Sequence, residues 1–439
     1  MLPPSALLNY VDSDSEENDD DTADSMVSQT STVKYDHESF KTIEKKVMSL
    51  ILELFPGYRA KDVILEKMAG GGYNRIIGIK LSTPKFKKWM RGKAKKALST
   101  CIGGHRWVGP DSDGDYILRV PRHQNGIYTI AYEIKTLQFI SKNILDPVPK
   151  VHLYDKTFNN ALNDTFMLQH RLPGKALHTI WPDLNFKQKK SATRQICQVL
   201  LSLGKVANKA PGIISPENMT LDLALSPKLR TLPIPALEYT GEPEWPKTLP
   251  SKPQSTLDFL VSHCTRHRDF EIFHSDTGLT TIWDDFISMA KKLHSMGFLS
   301  DEEQFHFCHV GFEMRNLLVE VIGDSVTITG VMDWGNAFFG PKFLSCRAPF
   351  FLWRHEDADD NDEDQALYVS QFEEHRELKT LFEDLVGPGF LHYAYEPEYI
   401  LLRRMLSVIR NGAAGSWEQD AAKEIINDFE QLYPTTNNN

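Results

Sequence analysis

The chain is poor in cysteine, and none is placed to pair. Cys101, Cys197, Cys264, Cys308 and Cys346 are odd in number and scattered, with no C-x-x-C spacing. That excludes a disulfide framework and points to reduced thiols in a cytoplasmic protein. No apolar run approaches the ~18 residues a membrane span needs, and the N-terminus turns acidic where a secretory signal would be apolar. The expectation is a soluble intracellular protein with no membrane partner. Basic charge is also short: the net charge is −10, so nucleic acid, which needs a basic footprint, is excluded as a partner. Ser-His-Asp and zinc-hydrolase motifs are missing, and there is no internal repeat.

What is present suffices for a packed core: 41% of residues are hydrophobic, which excludes wholesale disorder. At 439 residues the chain is longer than one ordinary domain. Residues 1–35 form an acidic tail carrying Asp12, Asp14, Glu16, Glu17, Asp19, Asp20, Asp21 and Asp24, expected to be disordered. Ser13 and Ser15 within it are candidate phosphorylation sites, although a merely solvating tail is the simpler expectation.

From Phe40 to Leu54 apolar residues recur at helical spacing. Four strand-like runs follow: Val63–Met68, Ile76–Leu81, Tyr116–Val120 and Phe166–Gln169, with a helix near Ala131–Ser141 among them. A basic insertion, residues 84–115, separates the second run from the third and carries Lys85, Lys87, Lys88, Arg91, Lys93, Lys95 and Lys96. It reads as a solvated face or a contact for an anionic partner.

Beyond Pro173-Gly174 the period becomes helical, with helices expected at Lys187–Val206, Thr256–His267, Ile282–Met296, Ala366–Leu385, Glu398–Arg410 and Trp417–Leu432. A strap, residues 226–253, holds seven prolines and is expected to lack regular structure. The class is therefore α+β, with a sheet-rich N-lobe at 36–170 and a helical C-lobe at 171–439.

Three patterns carry chemistry. Gly70-Gly71-Gly72-Tyr73-Asn74-Arg75 lies between two strand runs, where glycines let backbone N–H groups approach phosphates. Taken alone, that run is more simply explained as an ordinary hairpin turn. Arg119 on the third strand run and Glu133 on the following helix match the cation–carboxylate pair that kinases aim at α- and β-phosphates. A surface ion pair is the alternative. Finally, His309 and Asn316 have the spacing of the kinase catalytic loop, and Asp333 follows one hairpin later, where kinases place a magnesium-binding Asp. A carboxamide and a carboxylate offer the hard oxygens magnesium prefers.

On these motifs, with Tyr116–Pro121, Arg315-Asn316-Leu317-Leu318-Val319 and Ile328–Trp334, the chain resembles the aminoglycoside phosphotransferase and choline-kinase-like superfamily, notably its fungal members. The resemblance runs from about Asp62 to Trp353. It implies a bilobal protein-kinase-like fold, ATP and Mg bound between the lobes, and phosphorylation of a small-molecule hydroxyl. Gly70, Gly71, Gly72, Asn74, Arg119 and Glu133 would bind the nucleotide, and Asn316 and Asp333 the metal.

One departure bears on function. Two residues after His309, where the family carries its catalytic Asp, stands Gly311. Glycine cannot orient or deprotonate a hydroxyl, an assistance worth ~10²–10⁴-fold. The expectation is a nucleotide-binding protein with impaired, pseudokinase-like catalysis. The alternative is an active ATP-dependent small-molecule kinase, with Glu313 the nearby carboxylate available to replace the base. An amine-bearing acceptor is suggested by the acidic run Glu356–Asp364, which a solvated loop also explains. His263, Cys264 and His267 share helical spacing, but no fourth metal ligand is evident and packing explains them.

Overall fold

The computed structural model describes residues 38–68, 74–82, 114–122, 126–143, 147–216, 229–234, 249–273, 280–301, 304–359, 361–413 and 415–434. The acidic tail, the three glycines at 70–72 and nearly all of the basic insertion lie outside the described residues.

Two compact units emerge, one of the described residues up to Pro173 together with Gly330–Gly335, the other of Gly174–Thr329 and Asn336 onward. The first opens with α1 (Phe40–Leu54), β1 (Val63–Lys67), β2 (Asn74–Leu81), β3 (Gly114–Pro121), α2 (Gly126–Asn143), β4 (Val151–Asp155) and β5 (Phe166–His170). Its strands form an antiparallel sheet in the order β1-β2-β3-β5-β4.

Side chains alternate across a pleated strand, and the burial follows that alternation. Ile77, Ile79, Tyr116, Leu118, Val120, Phe166 and Leu168 share a core with Ile43, Val47, Leu50 and Ile51 of α1. Each such side chain contributes ~1.5–3 kcal/mol on burial. The other face carries Ile76, Gly78, Ile117, Arg119, Met167 and Gln169, fixed by the pairs Ile76↔Arg119, Gly78↔Ile117, Arg119↔Met167 and Ile117↔Gln169. Strand β4 was not expected. Its sequence, Val-His-Leu-Tyr-Asp, has little apolar alternation and follows Pro147 and Pro149 closely.

The second unit begins with β6 (Lys175–Ala176), α3 (Leu177–Ile180) and α4 (Phe186–Leu203), the last opened by a capping box between Asn185 and Gln188. Short strands β7 (Ala207–Asn208), β8 (Ile213–Ile214) and β9 (Thr231–Leu232) follow, then α5 (Thr256–Phe273) and α6 (Thr280–Ser295). The β8–β9 pair corrects the expectation that the proline-rich strap holds no regular structure, because Thr231 and Leu232 fall between prolines and are free to pair.

Next come β10 (Phe305–Cys308), β11 (Leu317–Ile322), β12 (Ser325–Val331) and β13 (Phe338–Gly340), then α7 (Lys342–Ser345), α8 (Glu373–Val386), α9 (Pro388–Tyr395), α10 (Pro397–Asn411) and α11 (Ser416–Leu432). Strands β11 and β12 are neighbours joined at Gly323, which sits at φ 59°. Helix α8 starts at Glu373, later than the expected Ala366, because Glu363–Ala366 form a separate 3₁₀ turn. Helix α9 was missed. Gly387-Pro388-Gly389 reads as a break, yet Gly387 at φ 75° ends one helix and Pro388 opens the next.

Among the described residues no helix is long and apolar enough to cross a membrane.

Candidate functional site

Arg119 lies on the sheet face away from the α1 core, where its Nη1 donates to Glu133 Oε1 of α2. Glu133 is buried. Burial pushes its carboxyl above the usual carboxylate range, the Arg119 charge pulls it down, and the Asp333 charge pushes it up again. Arg119 Nε is buried without a hydrogen-bond partner among the described residues. Buried donors rarely go unpaired in folded proteins, so this edge of the guanidinium fits an anionic ligand. Asn74 pairs with Pro121 in the ladder, at the start of β2 and the end of β3.

Asp333 is exposed, at φ 63°, and among the described non-glycine residues shares a positive φ with Asn163 alone. Such a backbone costs free energy and persists only where its surroundings enforce it. The enforcement is visible on both sides. Val331 N donates to Pro147 O at 2.9 Å, and the buried Trp334 donates from Nε1 to Val331 O at 2.8 Å. A Cβ at Gly335 would lie 4.0 Å from Glu133 Oε2. Arg119, Glu133 and the Asp-Trp-Gly segment, distant in sequence, thus meet within one unit.

Residues 309–316 belong to the other unit. His309 is buried and meets the Phe312 ring edge-on, centroids 5.9 Å apart. Gly311 O accepts from Glu313 N at 2.9 Å and from Asn316 Nδ2 at 2.8 Å. With its nitrogen so engaged, the Asn316 carboxamide has its oxygen, an acceptor, to offer a cation. Glu313 does not sit as a replacement base would. Its carboxylate is buried and accepts from Arg347 Nη1 at 2.9 Å.

Arg347 also donates to Glu363 at 2.5 Å, and Glu363 accepts from Arg403 at 2.6 Å. Arg403 goes on to the carbonyls of Phe343, Tyr393 and Ala394. Burial alone would lower the Arg347 pKa, but Glu363 and Glu313 raise it above its ordinary value. Burial alone would raise Glu363, but Arg347 and Arg403 hold it below the usual range.

The sequence itself decides the family. The phosphotransferase enzyme family, APH, matches residues 105–342. This chain belongs to that family. The protein-kinase-like fold expected from the sequence is the one observed, an antiparallel N-terminal sheet followed by a mostly helical part.

Among solved structures, aminoglycoside phosphotransferase APH(4)-Ia is 14% identical, covering 88% of this chain and 98% of its own at a TM-score of 0.45. A thermostable mutant of that enzyme, in ternary complex with AMP-PNP and hygromycin B, is 16% identical, covering 87% and 98% at 0.44. The GDP and kanamycin complex of APH(2")-IIia is 13% identical, covering 88% and 97% at 0.43. No curated protein matches the chain.

The remaining candidates in this phosphotransferase-family chain serve the fold. His263, Cys264 and His267 are buried on α5. His267 donates from Nε2 to Ile409 O at 2.7 Å and stacks on Trp283. Burial pushes His263 down to about 3 and His267 to about 4, so both are neutral. Among the described residues no three His, Cys, Asp or Glu groups form a metal cluster.

In the acidic run, Glu363 is spent on arginines, while Asp362 accepts from Asp364 N and Gln365 Nε2. Sequence reading missed Arg347 and Arg403. No spacing marks them, because their partners lie 16 to 40 positions away.

Proposed function

We propose that this chain binds a magnesium–ATP complex and, with glycine in the base position, is impaired as a kinase for a small-molecule hydroxyl. One observation carries the reading: Arg119, whose buried Nε has no hydrogen-bond partner among the described residues, is joined to Glu133 beside the left-handed Asp333. Arg119 would take phosphate oxygens, and the carboxylate of Asp333, an oxygen donor of the hardness magnesium prefers, would hold the metal; Asn316, in its own unit, offers an oxygen of the same kind. The metal, when bound, neutralises phosphate charge.

The chain's own residues do the rest. Glu133 orients Arg119, Trp334 fixes the bend that presents Asp333, and Asn316 bonds across the loop to Gly311. No carboxylate stands at 311 to take the hydroxyl proton, and Glu313 is committed to Arg347. Loss of base assistance slows transfer by ~10²–10⁴-fold while leaving nucleotide affinity in place.

The test measures Mg-dependent ATP affinity and phosphotransfer on the same preparation. Binding with negligible turnover is expected. Robust ATP-dependent phosphorylation of a metabolite would establish the active-kinase alternative, and absence of binding would remove the nucleotide site altogether.

A further inference from the structure

We infer that Gln169 reads the edge of the nucleobase, so that a carboxamide on β5, besides the arginine on β3, belongs to the nucleotide site. This rests on the nucleotide reading above and names the part of the ligand that reading leaves open. Gln169 pairs with Ile117, and Met167 pairs with Arg119. Residues two apart on a strand share a face, so Gln169 lies on the same face as Arg119, one residue pair along the sheet. Between and beside them that face offers Ile117, Gly78 and Met167. Ile117 and Met167 give that face its apolar part, while the Glu66 and Met68 side chains cover it at Gly78.

Gln169 is only 8% exposed, and its Oε1 is buried with no hydrogen-bond partner among the described residues. The face therefore holds two buried polar atoms awaiting partners, one on a cation and one on an amide. A nucleoside triphosphate has matching chemistry at its two ends: anionic oxygens for the guanidinium and a hydrogen-bonding base edge for the amide. A carboxamide carries both an acceptor and donors, and turning it over presents either. It can accept from the six-amino group of adenine or donate to the six-carbonyl of guanine. The chemistry fits a hydrogen-bonding base edge, probed with two purines, with tripolyphosphate, which has no base, as the control.

Calorimetry with magnesium on the full chain would compare ATP, GTP and inorganic tripolyphosphate, for the native protein, Gln169→Leu and Gln169→Met. Thermal denaturation of each variant identifies one that has failed to fold, and the two substitutions back each other. The expected result is a loss of about 5- to 10-fold in affinity for ATP and GTP. Tripolyphosphate affinity stays within about twofold of native. Unchanged nucleotide affinity, or an equal loss for all three ligands, overturns the role of Gln169. Native tripolyphosphate binding with no added affinity for either purine also overturns it, while leaving the phosphate and metal site standing. Absence of binding by any of the three overturns the nucleotide reading and this inference with it.

Discussion

The carboxamide of Asn316 donates to the carbonyl oxygen of Gly311 at 2.8 Å. The loop is therefore held at the missing-base position through backbone, and no side chain at 311 is needed to keep its shape. Gly311 is not among the left-handed glycines of the chain, so a residue with a Cβ can stand there without backbone strain.

Gly311→Asp accordingly should fold with stability within ~0.5 kcal/mol of native, as substitutions away from packed features do. It should also raise phosphotransfer by ~10²–10⁴-fold. Urea denaturation and a coupled ATP-consumption assay check both halves. A folded variant with no gain in turnover would place the impairment elsewhere.

The Glu313–Arg347 pair predicts a stability effect without a catalytic one. Arg347→Met removes a cationic partner from two buried carboxylates, Glu313 and Glu363, the latter keeping Arg403, and should cost ~3–5 kcal/mol. Glu313→Leu with Arg347→Met should recover part of that loss, measured as a double-mutant cycle. Because Glu313 is committed to this pair, Glu313→Gln should leave any turnover unchanged, as kinetic assays of the native chain and of Gly311→Asp would show.

Acid should act on the α5 histidines. His263 and His267 sit at about 3 and about 4 in the fold, against ~6.5 in the unfolded chain. Between those values the unfolded state binds more protons. Stability is thus fully present above about pH 6.5 and falls as the pH drops toward 4 and 3. Shifts of this size correspond to roughly 3–5 kcal/mol per group. His263→Leu should flatten the acid limb of a stability–pH curve, at little cost at neutral pH because neither ring nitrogen has a partner among the described residues.

Local chemistry was legible in the sequence where neighbours along the chain carry it. The alternation of β2 and β3, the Gly323 turn and the Asp333-Trp334 bend all follow from short-range pattern. Arg119 and Glu133 were legible as a pair because strand and helix adjoin in sequence. What stayed hidden depends on distant partners. Arg347 and Arg403 gain their roles only when Glu363 is folded between them, and Gln169 gains its place only from the β3–β5 register. Glu313 looked available because sequence shows a carboxylate's position and not the guanidinium beside it. Helix α9 was hidden by a glycine and a proline that also make ordinary helix ends.

The central claim is that Asp333, beside Arg119 and Glu133, serves magnesium-bound ATP, and thermal stabilisation tests it most directly. With Mg and ATP at about one hundred times the dissociation constant, the native chain should gain ~2.7 kcal/mol. Chelation of magnesium, or Asp333→Ala, should abolish the metal-dependent part of that gain. A native chain that gains nothing from Mg and ATP, or an Asp333→Ala variant that gains as much, would contradict the account.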